Sequence, residues 1–239
     1  MSKFREWLNN QKYVVIDGAL STALEKKGMD LNHKLCTAKV LVENPEKIKE
    51  VHKEYFEAGA NVAITSTYQA SILGFKDLGY SEEEAEKFMR KSVELAKEAR
   101  LEACSNKDMW IAGSVGPYGA YLADGSEYRG DYTVDNQFLE EFHEKRIDIL
   151  VKEGVDLLAI ETIPNLEEIK VLLNILSKYP EVVAWITCSL RDSEHISDGN
   201  RLEDVQLLLE ENNQVIGYGI NCVKPEFVTR TIELLSKNS

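Results

Sequence analysis

A thiol at the end of a buried strand is the first candidate for chemistry in this sequence. Val215-Ile216-Gly217-Tyr218-Gly219-Ile220 is an apolar run of strand length, and Asn221-Cys222 follows it directly. Parallel α/β sheets and barrels place reacting groups at the C-terminal ends of their strands. A cysteine there serves as a nucleophile or a zinc ligand, and the same residue type also suits a small buried apolar position. A zinc centre needs three or four ligands, and no Cys or His stands between Cys222 and Ser239. Asp17 and Glu161 end two other apolar runs, Tyr13–Ile16 and Leu157–Ile160. Each fits a helix cap or an ion-pair partner. Two carboxylates facing one pocket would instead hold a substrate ammonium group, or divide acid and base roles as in a glycosidase pair.

The stretch Gly113-Ser114-Val115-Gly116-Pro117-Tyr118-Gly119-Ala120-Tyr121 opens a long segment rich in Gly and Tyr that reaches Tyr132. A loop this long in a compact domain is often functional, and its aromatic rings suit a small cation; the structural alternative is a self-packed Ω-loop. Among the histidines, His52 falls inside a helix and reads as structural. His33 and His143 read as surface or helix-face residues, and His195, in Arg191-Asp192-Ser193-Glu194-His195, lies on a loop within reach of the strand ends. Cys188 sits between Thr187 and Ser189. By strand alternation the polar pair takes one face and Cys188 the other, so Cys188 reads as structural.

The elements that must position these groups alternate in a regular way. Strands are expected at 13–17, 62–65, 110–114, 157–161, 182–187 and 215–220, each followed by an amphipathic helix. Asn44-Pro45 opens one helix and Gly59 closes it; Ser81-Glu82-Glu83-Glu84 is a capping box for another. Glu57-Ala58-Gly59-Ala60-Asn61 and Glu153-Gly154-Val155-Asp156 are echoes of one βα unit. Six units of about 40 residues with no linker between them make residues 1–239 a single domain. Polar residues at every strand end (Asp17, Thr65, Ser114, Glu161, Thr187, Asn221) favour a barrel over a doubly wound sheet, which gathers its site at one switch point. No phosphate-binding glycine loop follows the first strand.

Composition narrows the function classes. With 28 Lys and Arg against 41 Asp and Glu, the net charge of −13 argues against a nucleic-acid or anionic-membrane surface. No apolar run approaches the roughly 18 residues of a membrane span, and the N-terminus lacks a signal-peptide pattern. Four scattered cysteines without a C-x-x-C pair suit the reducing cytoplasm.

Five segments in order, Asp17–Thr22, Gly113–Gly119, Glu161-Thr162, Leu190–His195 and Gly219–Cys222, resemble the homocysteine S-methyltransferases, in particular the S-methylmethionine-using branch. The resemblance covers nearly the whole chain. It implies a (β/α)8 barrel of the TIM type, here with six of its βα units and with strands seven and eight absent. It implies methyl transfer from a sulfonium donor, S-methylmethionine or S-adenosylmethionine, to homocysteine, giving methionine. Cys222 matches the first zinc cysteine of the family; the other two form a Cys-Cys pair at the end of strand eight, so the resemblance implies a zinc site incomplete here and impaired activity. Asp17 and Glu161 match positions near the homocysteine amino group. Thr65 to Gln69 matches a substrate-lining strand end, Asn221 is a further substrate contact, and Tyr118 and Tyr121 are candidates to receive the donor. An open barrel would leave edges for self-association. Two other readings stay open: a metal-independent barrel hydrolase using Asp17 and Glu161, and a non-catalytic homocysteine-binding remnant.

Overall fold

The computed structural model describes residues 2–31, 37–104 and 108–237; His33 and Cys36 lie outside them. Among the described residues there are five strands: β1 (Val62–Ile64), β2 (Trp110–Val115), β3 (Leu157–Ile163), β4 (Ala184–Cys188) and β5 (Val215–Ile220). The chain groups into two compact units, Met1–Val115 with Lys145–Leu158, and Gly116–Glu144 with Ala159–Ser239.

In the first unit β1 pairs parallel with β2, Val62 opposite Trp110 and Ile64 opposite Ala112. The strand expected at 13–17 is reduced to one parallel bridge, Ile16 to Val62. Its backbone still bonds along β1, with Asp17 N–H on Val62 O at 2.9 Å and Asn61 N–H on Val15 O at 2.7 Å. Tyr13, Val15 and Ile16 remain exposed, so no packing on their side chains extends the ladder. Helix Pro45–Ala58 starts with Pro in its first turn and turns Ile48, Val51, His52 and Phe56 inward. Gly59, at φ 106°, ends it in a left-handed cap. Asn44 precedes this helix without a side-chain cap bond. The capping box forms as expected: Ser81 Oγ accepts from Glu84 N–H and the Glu84 carboxylate accepts from Ser81 N–H, opening helix Glu82–Glu102.

In the second unit β4 pairs parallel with β5, Thr187 opposite Gly219 and Cys188 opposite Ile220. β4 begins at Ala184 rather than Val182, and its register on β5 shifts between Ala184 and Trp185. β3 runs on to Ile163, so Glu161 lies within the strand rather than at its end. The segment expected as a loop holds a short helix, Tyr118–Leu122, and a 3-10 turn, Ser126–Tyr128. Helix Leu166–Ser177 is capped by the Asn165 side chain, which accepts from Glu168 N–H. Among the described residues no helix is long and apolar enough to cross a membrane.

Candidate active site

In the first unit Asp17 and Thr65 sit at one end of the β1–β2 pair. The Asp17 carboxylate accepts from Ile64 N–H at 2.9 Å and lies 3.9 Å from Nδ1 of the fully buried His52. That separation is too long for a hydrogen bond, and neither ring nitrogen of His52 finds one. Burial wins: it lowers His52 to about 4, so the ring is neutral. Thr65 is only 3% exposed. Its hydroxyl accepts from Ser114 N–H at 2.9 Å and pairs with Thr67 Oγ1 at 2.8 Å, and Thr67 in turn donates to Ser114 O. Thr65 therefore locks the end of β1 to β2.

In the second unit the Asn221 side chain joins the ends of three strands. Its Oδ1 accepts from Thr162 N–H at 2.9 Å and from the Thr187 hydroxyl at 2.8 Å. Its Nδ2 donates to Thr162 Oγ1 at 2.8 Å. The bridge braces two unusual backbones: Thr162 has φ 63° and Cys222 φ 51°. Left-handed conformations cost a non-glycine residue roughly 1–3 kcal/mol and cluster at functional sites, where surrounding contacts hold them. The Cys222 residue is exposed, yet the sulfur loses hydration. That desolvation, with the charges of Glu161 and Glu127, raises the thiol's proton affinity against an opposing hydrogen bond from Thr162. Glu161 is itself pushed up by burial, partly offset by Trp185 Nε1–H, which donates to its carboxylate at 3.2 Å. It is a desolvated carboxylate that meets no cation among the described residues.

Cys222 opens onto a cavity of about 670 Å³ whose walls include Tyr128, Arg129, Arg191, Lys224 and Phe227. Tyr128 is the aromatic of the long segment that reaches this cavity. Tyr118 and Tyr121 do not line it. The Tyr118 ring packs within 5.3–5.6 Å, centre to centre, of Tyr121, Tyr132, Phe138 and Phe142. His195 bonds to Asp192 at 2.9 Å and is not part of the cavity wall. Cys188 is fully buried and its thiol is pushed up to about 12 by desolvation, as befits a structural residue.

Sequence reasoning missed Glu168 and misplaced His143. Both are fully buried. Glu168 accepts from Tyr118 N–H at 2.7 Å and from the Tyr132 hydroxyl, and it bonds His143 Nε2 at 2.7 Å. It thereby ties both ends of the segment carrying Tyr128 to helix Leu166–Ser177. A Glu three residues after an Asn cap was the available signal, and it reads as an ordinary first-turn acid.

The donor set does not complete a zinc centre. Among the described residues no group of three or more His, Cys, Asp or Glu could hold a metal. Cys222 is the one cysteine on the cavity wall, and its surroundings raise rather than lower its proton affinity.

Comparison with known proteins agrees with this arrangement. Residues 14–239 match the family model described as homocysteine S-methyltransferase. The homocysteine S-methyltransferase of Escherichia coli K12 is 48% identical over 97% of this chain and 76% of its own length. Homocysteine S-methyltransferase YbgG of Bacillus subtilis is 45% identical over 100% of this chain and 78% of its own length. The crystal structure of the metallated E. coli homocysteine methyltransferase MmuM superposes with a TM-score of 0.94 at 47% identity, covering 99% of this chain and 83% of that one. The fold class is therefore α/β of the (β/α)8-barrel type, of which the described residues hold five strands. By motif, site frame and similarity over nearly its whole length, the chain belongs to the homocysteine S-methyltransferase family.

Proposed function

We propose that this chain transfers a methyl group from a sulfonium donor, S-methylmethionine or S-adenosylmethionine, to the sulfur of homocysteine, giving methionine. The observation that carries the proposal is the desolvated Glu161 carboxylate beside the Cys222 thiol, on a frame braced by Asn221 and open to a cavity. The homocysteine ammonium supplies the positive charge that Glu161 lacks, and so fixes the acceptor by its amino end. In the transfer a sulfur lone pair forms the new S–CH3 bond. The donor C–S bond breaks with its electron pair, and the donor leaves as a neutral thioether. The thiol proton must depart, because the thiolate is the nucleophile and a free thiol has a pKa of about 8.5. In thiolate chemistry a zinc ion would supply that deprotonation; Cys222 would be one ligand, and the described residues bring no further ligands to it.

Asp17, Thr65 and Asn221 are proposed as substrate contacts on the ground of the family's motifs, Thr65 and Asn221 chiefly by holding strand ends in register. Tyr128 takes the donor's positive charge on its ring. Tyr118 and Tyr121 serve by packing the segment that presents it. The unpaired thiols of Cys104, Cys188 and Cys222 suit a reducing cytoplasm.

The test is methionine formation from homocysteine and S-methylmethionine by the purified 239-residue chain, with added zinc and with a chelator. Methionine above the uncatalysed background supports the reading. Homocysteine binding without any methionine, zinc included, would reject it in favour of a binding protein.

A further inference from the structure

The cavity beside Cys222 carries an imbalance of charge that its own residues do not resolve. Two carboxylates and three cations line it: Asp131, Asp198, Arg129, Arg191 and Lys224. Both acids are engaged. Asp131 pairs with Arg129 at 3.1 Å. The Asp198 carboxylate accepts from Leu166 N–H at 2.8 Å, from Asn200 N–H at 2.9 Å and from the Asn200 side-chain amide at 2.8 Å. Arg129 is engaged as well, with Asp131, the Asp124 carbonyl and the Ser126 hydroxyl. Arg191 and Lys224 are different. Among the described residues neither side chain meets a carboxylate or a hydrogen-bond acceptor. The Lys224 ammonium lies over the Phe227 ring, 5.8 Å from its centre. In a chain of net charge −13, two unpaired cations on one cavity wall are a specific arrangement.

Arg191 is also held in place. Its backbone N–H donates to His195 O at 3.1 Å, and short antiparallel bridges, Leu190 to Ile196 and His195 to Arg201, close the loop that carries it. Its guanidinium lies across Gly199. A Cβ built there would approach Nη1 to 3.3 Å, and the backbone at φ 96° favours glycine in any case. The backbone that carries the guanidinium is thus held before any ligand arrives.

We propose that Arg191 and Lys224 form an anion subsite that binds the α-carboxylate of the sulfonium donor. This rests on the methyl-transfer reading above. Under that reading the acceptor is anchored by its ammonium at Glu161, which is desolvated. The donor sulfonium must approach the acceptor sulfur in line, so its amino-acid end points back toward solvent. Arg191 and Lys224 are both exposed, at the cavity rim. A guanidinium is suited to bind a carboxylate in two parallel hydrogen bonds, and the ammonium adds a point charge.

The experiment pairs a change in the protein with a change in the donor. Arg191→Ala, Lys224→Ala, the double variant and Arg191→Lys are assayed with S-methylmethionine and with 3-aminopropyl-dimethylsulfonium, the same donor without its carboxylate. In the parent chain the missing carboxylate should lower kcat/KM at least about tenfold, the worth of a charge-assisted contact. In the double variant that penalty should vanish, with the homocysteine KM unchanged and Arg191→Lys keeping part of the discrimination. A penalty that persists in the double variant overturns the subsite. So does a rise in the homocysteine KM instead, which would assign the carboxylate to the acceptor. Turnover by the parent chain tests the methyl-transfer reading separately. If it fails, calorimetric binding of the two sulfonium compounds to the parent and double variant decides the subsite by the same comparison.

Discussion

Replacing Asn221 by Ala removes the side chain that ties Thr162 and Thr187 together directly before Cys222. Three hydrogen bonds of 2.8–2.9 Å are lost, each worth about 1 kcal/mol net. The loss is partly offset, because Thr162 at φ 63° is released from a conformation costing roughly 1–3 kcal/mol. Release is incomplete while β3 stays folded, so the balance should be a loss of about 2 kcal/mol. Urea unfolding followed by tryptophan fluorescence measures it, and Trp185, bonded to Glu161, reports from within the frame. Methyl transfer should fall further than stability does, since Cys222 no longer keeps its φ of 51°. Asn221→Asp keeps the size and the acceptor. It adds a negative charge near Glu161 and Cys222, so its deficit should shrink as the pH is lowered. An Ala variant within about 0.5 kcal/mol of the parent would refute the bracing role.

Three further outcomes are expected. Glu168→Ala removes the carboxylate that bonds the buried His143 ring, the Tyr118 N–H and the Tyr132 hydroxyl, and should cost about 3–5 kcal/mol in chemical denaturation; a cost under about 1 kcal/mol would mean the cluster relaxes freely. His52 is neutral in the fold, at about 4 against 6.5 for the free side chain. Its contribution is complete above pH 6.5 and is lost as the pH falls toward 4, because only the unfolded chain takes up the proton in that window. The loss is roughly 3 kcal/mol, and His52→Leu should flatten the stability profile over that interval; an unchanged profile would put the acid sensitivity elsewhere. Zinc should bind the purified 239-residue chain weakly, by competition against a chromogenic chelator, since among the described residues no cluster of ligands accompanies Cys222; tight stoichiometric zinc would contradict this.

What the sequence makes legible here is local in origin. A polar residue after an apolar run marks a strand end whatever the strand packs against, so Asn221-Cys222 could be located without coordinates. Glu161 could too, although β3 continues past it to Ile163. The Ser81–Glu84 box is equally local, both bonds falling within four residues. The misreadings have the opposite character. The segment at 13–17 has strand composition, but a ladder needs neighbours, and its apolar side chains stay exposed. His143 lies 25 residues from the carboxylate that buries it. Nothing in its own neighbourhood separates a surface histidine from a paired core one.

The choice among tyrosines follows the same logic and carries it into function. Composition places several aromatic residues in one segment without saying which ring meets the thiol. Two left-handed glycines decide it: Gly125 at φ 83° and Gly130 at φ 66° bracket the turn that aims Tyr128 at the cavity. A Cβ at Gly130 would approach Pro164 O to 2.7 Å, so the turn is seated against the chain that follows β3. Glu168 then fixes the segment at Tyr118 and Tyr132, on either side of that turn. Under the proposed reading, the ring offered to the donor is thus selected by groups that do not line the cavity with it. A change at Gly130 or Glu168 should alter donor KM through Tyr128, with Glu161 and Cys222 untouched.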